Sequence, residues 1–277
     1  MEKQKNSKNL ALKLTESAIM VALATILSFI KLFEFPYGGS LTLASMLPIL
    51  LIAMRYGAPW GIFTGFVYGA VQFALGSTVL SYVTGALSVA AVIVLDYVLA
   101  FALVGLGGFT RNMNNKRSAL VIGAFIAGFA RFICHFVSGI TVWAGFSIPT
   151  VGAVRYSLAY NATYMLPETL VLIAAAYYIA SFIDVTAPKI SFVKKKSESK
   201  IAVVFKIIAG AVLSAGFLFD IYKVFSLLQD PDTGDFDITQ ISNVNWILVC
   251  IVTGAAVVIA LASVLIGKAI SGKTKNQ

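Results

Sequence analysis

The sequence predicts an all-α polytopic membrane protein, on three observations. Of 277 residues 59% are hydrophobic, only 12% are charged, and the mean hydropathy is +0.89. Soluble domains carry roughly twice that share of charge, so this composition leaves too little polar surface to meet water. The apolar residues also gather in runs of membrane-spanning length, separated by short basic clusters. The formal net charge of +9 is therefore a topology signal and not a nucleic-acid-binding face.

The runs lie near residues 14–32, 41–56, 58–76, 83–107, 118–139, 160–183, 201–225 and 244–267, which makes about eight helices. The first follows Lys3, Lys5, Lys8 and Lys13, and no small-x-small cleavage site precedes Lys31, so it reads as a span and not a signal peptide. The second is short, as a tilted or irregular passage would be. On the third, Gly57, Gly61, Gly65 and Gly69 recur at intervals of four and make a smooth ridge for close helix packing. Tyr68 and Gln72 sit one turn apart on the same helix.

The fourth run holds Asp96. A carboxylate at bilayer depth costs about 2.5–3.5 kcal/mol on insertion scales, so it needs a cation, a proton or a donor network. It serves either a ligand pocket or a structural pair with Arg131. The fifth run contains Arg131 and the single histidine, His135, which with Gly139 recur every fourth residue and share one face. That face should look into the protein. On the sixth, Asn161, Met165 and Glu168 fall on one face, and Pro167 leaves the Thr163 carbonyl without its helical donor, which favours a kink.

Basic residues mark every second loop: Arg55 after the second run, Arg111, Lys116 and Arg117 after the fourth, and Lys189, Lys194, Lys195, Lys196 and Lys200 after the sixth. With Lys268, Lys273 and Lys275 at the end, the pattern puts both termini in the cytoplasm. The last outer loop, Asp230 to Asp237, is acidic and lacks EF-hand spacing. The chain divides into a membrane domain over 1–185, a charged cytoplasmic linker over 186–200 and a two-helix membrane extension over 201–277. No internal repeat is visible.

Several chemistries are excluded. Cys134 and Cys250 lie in apolar runs without ligand spacing, so neither a disulfide nor a metal site is implied. Gly267 to Thr274 fits the phosphate-loop pattern but follows a membrane helix where a strand is required. No nucleophile–base or metal signature marks an enzyme. What remains is a polar constellation with aromatic residues around it: Phe33, Phe35, Tyr37, Tyr82, Trp143 and Tyr156 cluster toward the outer side. Buried carboxylates among ring faces suit a flat cation, at about 0.5–2 kcal/mol per ring contact. A stand-alone proton-coupled carrier for a small cationic nutrient, with Asp96, His135 and Glu168 as its relay, is the alternative reading.

Six stretches carry a family resemblance: Pro36 to Leu41, Leu47-Pro with Arg55-Tyr-Gly57, Gly65 to Gln72, Leu95-Asp-Tyr97 with Leu99-Ala-Phe101, Arg131 to Gly139, and Tyr156 to Asn161 with Tyr164-Met-Leu-Pro-Glu168. In this order the chain resembles, over about residues 10–185, the thiamine-specific substrate-binding (S) components of energy-coupling factor (ECF) transporters, bacterial vitamin uptake systems. The resemblance implies a six-helix S-component bundle in the bacterial cell membrane. Its thiamine pocket would lie near the outer face, closed by the loop between the first two spans, with thiamine as cargo and no catalytic cofactor. Asp96 falls on the family's acidic pocket residue, His135 and Asn161 on partners of the pyrimidine ring, and Trp143 and Tyr156 on aromatic walls. Tyr68 and Tyr97 become further contacts, Tyr37 stands near the lid aromatic, and Gly139 completes the histidine face. Ala18 and Ala22 fit the small-residue patch that docks on a membrane-embedded coupling subunit, which is driven by two separate ATPase subunits. Two additional C-terminal transmembrane helices after residue 200 depart from the six-helix plan.

Overall fold

The computed structural model describes residues 2–35, 38–142, 151–187, 190–193, 199–228, 240 and 243–273. Among these, seven helices are long and apolar enough to cross a membrane, and one further apolar helix is shorter. In chain order they are α1 (Glu2–Phe29), α2 (Leu47–Tyr56), α3 (Ala58–Gly76), α4 (Ala86–Asn112), α5 (Lys116–Thr141), α6 (Val151–Phe182), α7 (Lys200–Leu228) and α8 (Trp246–Lys273). They fall into two compact units, Met1–Lys194 with α1 to α6 and Lys195–Gln277 with α7 and α8.

The second run departs most from its expected form. Its helix has 10 residues, about 15 Å at 1.5 Å per residue, which is half the hydrocarbon thickness. The reason is upstream: β1 (Lys31–Glu34) and β2 (Ser40–Thr42) pair antiparallel, so Lys31, Leu32, Leu41 and Thr42, expected at the ends of the first two spans, join a hairpin instead. Leu47, Ile49, Leu50, Ile52, Ala53 and Met54 are all buried. A helix that is apolar all round belongs inside a bundle, and α2 packs against α1, α3, α4, α5 and α6.

The glycine ridge of α3 meets α4. A Cβ on Gly69 would lie 2.7 Å from the Tyr97 carbonyl oxygen, and one on Gly65 would lie 3.0 Å from the Ala102 Cα. Only hydrogen fits there, so the two backbones touch. Opposite Gly69, α4 changes its winding: Ile93–Leu99 is a π-helical segment between α-helical Ala86–Val92 and Ala100–Ala102, and the helix ends in 3₁₀ form over Leu103–Asn112. Such segments are frequent at functional sites, and this one holds Asp96 and Tyr97.

At the start of α5, the Asn115 side chain accepts the Ser118 N–H at 3.1 Å, capping the helix. Helix α6 begins at Val151, upstream of its expected start near 160, and so takes Tyr156 out of the loop and into the helix. In the second unit α7 and α8 pair antiparallel: Gly216 faces Ala256, and Gly267 faces Phe205. Thr253 donates to Asp220 at 2.5 Å across that pair. Gly267 to Lys273 simply continue α8, and the acidic stretch Asp230 to Asp237 lies outside the described residues.

Candidate functional site

Six elements of the first unit enclose a cavity of about 250 Å³, lined from α1, the β1–β2 hairpin region, α3, α4, α5 and α6. Arg131, His135 and Gly139 all line it, so the face predicted from their fourfold spacing does look inward.

Asp96 comes from the π segment of α4 and is fixed by α5. Its Oδ1 lies 2.9 Å from His135 Nδ1, and Ser138 Oγ donates to its Oδ2 at 2.7 Å. A carboxylate has about four acceptor sites, so both oxygens keep capacity for further donors. When Nδ1–H of a neutral imidazole donates to Asp96, Nε2 is left as an acceptor. That Nε2 is buried and has no hydrogen-bond partner. Buried polar atoms are nearly always satisfied, so an orphan ring nitrogen in a cavity wall points to a hydrogen-bonding ligand.

Asn161 joins the same wall through α6. Its amide donates to the Ser157 carbonyl at 2.9 Å and the His135 carbonyl at 3.3 Å, and its Oδ1 accepts the Tyr164 hydroxyl at 2.9 Å. Ser157 Oγ in turn donates to the Phe136 carbonyl at 2.9 Å. At Gly139 any Cβ would collide with the Ser157 side chain, so this glycine lets α5 and α6 close on each other.

The ring residues follow from spacing on α6. Tyr156, Tyr160 and Tyr164 recur every fourth residue and all line the cavity. Tyr156 and Tyr160 are stacked at 6.0 Å, and Tyr164 meets Tyr160 edge-on at 5.6 Å and His135 at 6.2 Å. Sequence reasoning named the first and missed the other two as site residues, although their i, i+4 periodicity was the signal. On α4, Tyr97 also lines the cavity while its hydroxyl donates to the Gly76 carbonyl at 2.8 Å.

A second polar cluster corrects an expectation. Arg131 pairs with Glu168, not with Asp96. Both residues are buried, at 8% and 1% exposure, and the Arg131 guanidinium lies 4.6 Å from the Phe101 ring centroid. Thr42 of β2 donates to Glu168 Oε1 at 2.9 Å and lies 2.8 Å from Ser45 Oγ. The hairpin is thus tied to α5 and α6 through one ion pair, and Gly39 adds an N–H to the Tyr160 hydroxyl at 3.3 Å. The three residues of the imagined relay divide accordingly: Asp96 and His135 hold each other, and Glu168 belongs to Arg131 and Thr42.

Other candidates lie elsewhere. Tyr68 is fully buried, donating to the Ala24 carbonyl at 3.3 Å and packing edge-on at 4.8 Å against Phe101, which itself lines the cavity. Gln72 lines the cavity and joins α3 to α1 by donating to Ser28 at 2.9 Å. Phe35 meets Tyr164 at 5.9 Å, whereas Phe33 is exposed. Tyr37 and Trp143 lie outside the described residues. Ala18 and Ala22 are exposed on α1, leaving their patch open.

Comparison with known proteins gives this geometry a lineage. Residues 14–190 match the family described as thiamine transporter protein (Thia_YuaJ). The thiamine transporter ThiT of Bacillus subtilis (strain 168) is 30% identical over 197 residues, which cover 67% of this chain and 96% of that protein. ThiT of Lacticaseibacillus paracasei is 28% identical over 204 residues, covering 66% and 92% respectively. Among solved structures, ThiT from Listeria monocytogenes superposes with a TM-score of 0.50 at 26% identity, over 62% of this chain and 94% of that one. The matched region ends near the boundary of the first compact unit, so the cavity lies wholly inside it and α7 and α8 lie wholly beyond it. The chain belongs to the thiamine transporter protein family.

Proposed function

We propose that this chain captures thiamine in the α1–α6 cavity as the S component of an ECF-type uptake transporter. Thiamine joins an aminopyrimidine to a cationic thiazolium, and the wall formed by Asp96, His135 and Ser138 answers both parts. The observation that carries the reading is the orphan His135 Nε2 beside an ionisable Asp96: an amino group satisfies the first, and a fixed positive charge is offset by the second. Tyr97, Tyr156, Tyr160 and Tyr164 supply ring faces for flat heterocycles. Asn161, with its amide already engaged on Ser157 and His135, positions the histidine wall and offers its remaining acceptor capacity to the ligand. Trp143 and Tyr37 carry the family's wall and lid roles, and Tyr68 supports the pocket through Phe101.

The chain moves its ligand without converting it. In this reading the termini are cytoplasmic, the exposed Ala18–Ala22 patch docks on a membrane-embedded coupling subunit, and two ATPase subunits drive release. The pairing of Glu168 with Arg131, away from Asp96 and His135, speaks against the proton-coupled alternative. The test is reconstitution. Proteoliposomes holding this chain alone should bind thiamine without accumulating it under a proton gradient. Accumulation should require the coupling and ATPase subunits with ATP; uptake by the chain alone would overturn the coupling reading.

A further inference from the structure

At the opposite end of the first unit lies a second, basic groove. It has a volume of about 520 Å³ and is lined by Asn9, Leu10, Lys13, Arg55 and Arg111 among others. Arg55 is spoken for. Its Nε and Nη2 grip the Glu16 carboxylate at 2.6 and 3.1 Å, and Nη1 donates to the Val185 and Ala187 carbonyls at 3.3 and 3.1 Å.

The other two cations have no such answer. Lys13 Nζ stands 5.4 and 5.6 Å from the Tyr56 and Trp60 ring centroids, and Arg111 Nη1 packs beside Gly57, where a Cβ would lie 3.1 Å away. Among the described residues no carboxylate lies within ion-pair reach of either. Two half-buried cations converge on one groove; of the acids beside it among the described residues, Glu16 is held by Arg55 and Asp184 by Thr186. An anion supplies what is missing.

We propose that this groove binds the phosphate headgroup of an anionic membrane lipid. The positive-inside pattern puts it at the cytoplasmic surface, where anionic lipids attract basic residues and basic pockets between helices hold their headgroups. The apolar wall selects the lipid over free phosphate: Leu10 and Leu12 are 49% and 51% exposed on the same stretch of α1, giving acyl chains a surface beside the charges. Neither Lys13 nor Arg111 lines the thiamine cavity, so the two sites are separable.

The test is thermal unfolding of the full chain in nanodiscs of phosphatidylcholine with and without phosphatidylglycerol, together with native mass spectrometry of retained lipid. The wild type should show a higher Tm with phosphatidylglycerol and retain that lipid. The double variant Lys13→Gln, Arg111→Gln should lose both effects while still binding thiamine, and Arg117→Gln, outside the groove, should keep both. If inorganic phosphate in phosphatidylcholine discs reproduces the rise and the double variant abolishes it, the phosphate site stands and its source is soluble. No rise and no retained lipid in the wild type, or an undiminished rise in the double variant, would overturn the proposal.

Discussion

Two polar pairs at the cavity, one half-buried and one buried, face opposite demands. Asp96 and His135 meet at 2.9 Å while leaving His135 Nε2 without a hydrogen-bond partner, and in the proposed function that atom goes to the ligand. Replacing Asp96 by Asn keeps the shape and removes the charge. Since hydrogen bonds to charged groups contribute about 1.5–3 kcal/mol, thiamine affinity should fall about ten- to hundredfold in a calorimetric titration. Arg131 and Glu168 instead neutralise each other and hold Thr42, with Arg131 Nε left without a hydrogen-bond partner. Glu168→Gln strands a buried guanidinium and should destabilise the fold by about 3–5 kcal/mol, whereas Arg131→Met with Glu168→Met should unfold closer to the wild type. Thermal unfolding in detergent separates these outcomes. Sequence spacing revealed that Arg131, His135 and Gly139 share an inward face, because that is a property of one helix. Which acid Arg131 meets is a matter of helix placement, and a single chain read in order does not contain it.

The helices α3 and α4 touch through glycine, and this contact sets the position of the π segment that carries Asp96. A side chain at Gly69 must displace the Tyr97 carbonyl, 2.7 Å from where its Cβ would stand. Gly69→Val should therefore cost about 1–3 kcal/mol of stability, as overpacking does, and weaken thiamine binding as well, although Gly69 does not line the cavity. Paired measurement of Tm and affinity checks both effects. The ridge itself was legible, since four glycines at a spacing of four have few other uses in a membrane helix. The π winding was not: Ile93 to Leu99 reads as an apolar run broken only by Asp96, and nothing in it marks the wider winding. The hairpin was hidden for a similar reason. Lys31-Leu-Phe-Glu34 and Ser40-Leu-Thr42 mix polar with apolar residues at the edges of the neighbouring runs, so hydropathy marks them neither as span nor as strand.

At the scale of the whole molecule, the matched family region and the first compact unit nearly coincide, at 14–190 and Met1–Lys194. All the cavity's lining residues fall inside both. A chain ending at residue 194 should therefore bind thiamine with the affinity of the full protein, measured by the same titration in detergent. The all-helical plan was readable from composition and charge alone, because a bilayer leaves so few alternatives. The central claim is that the Asp96–His135–Asn161 wall receives thiamine, and quenching of intrinsic tryptophan fluorescence tests it most directly. Saturable quenching by thiamine in the wild type, markedly weakened in Asp96→Asn and His135→Ala, is the predicted result. No saturable response in fluorescence or calorimetry, or affinity unchanged in both variants and in Asn161→Ala, would contradict the account.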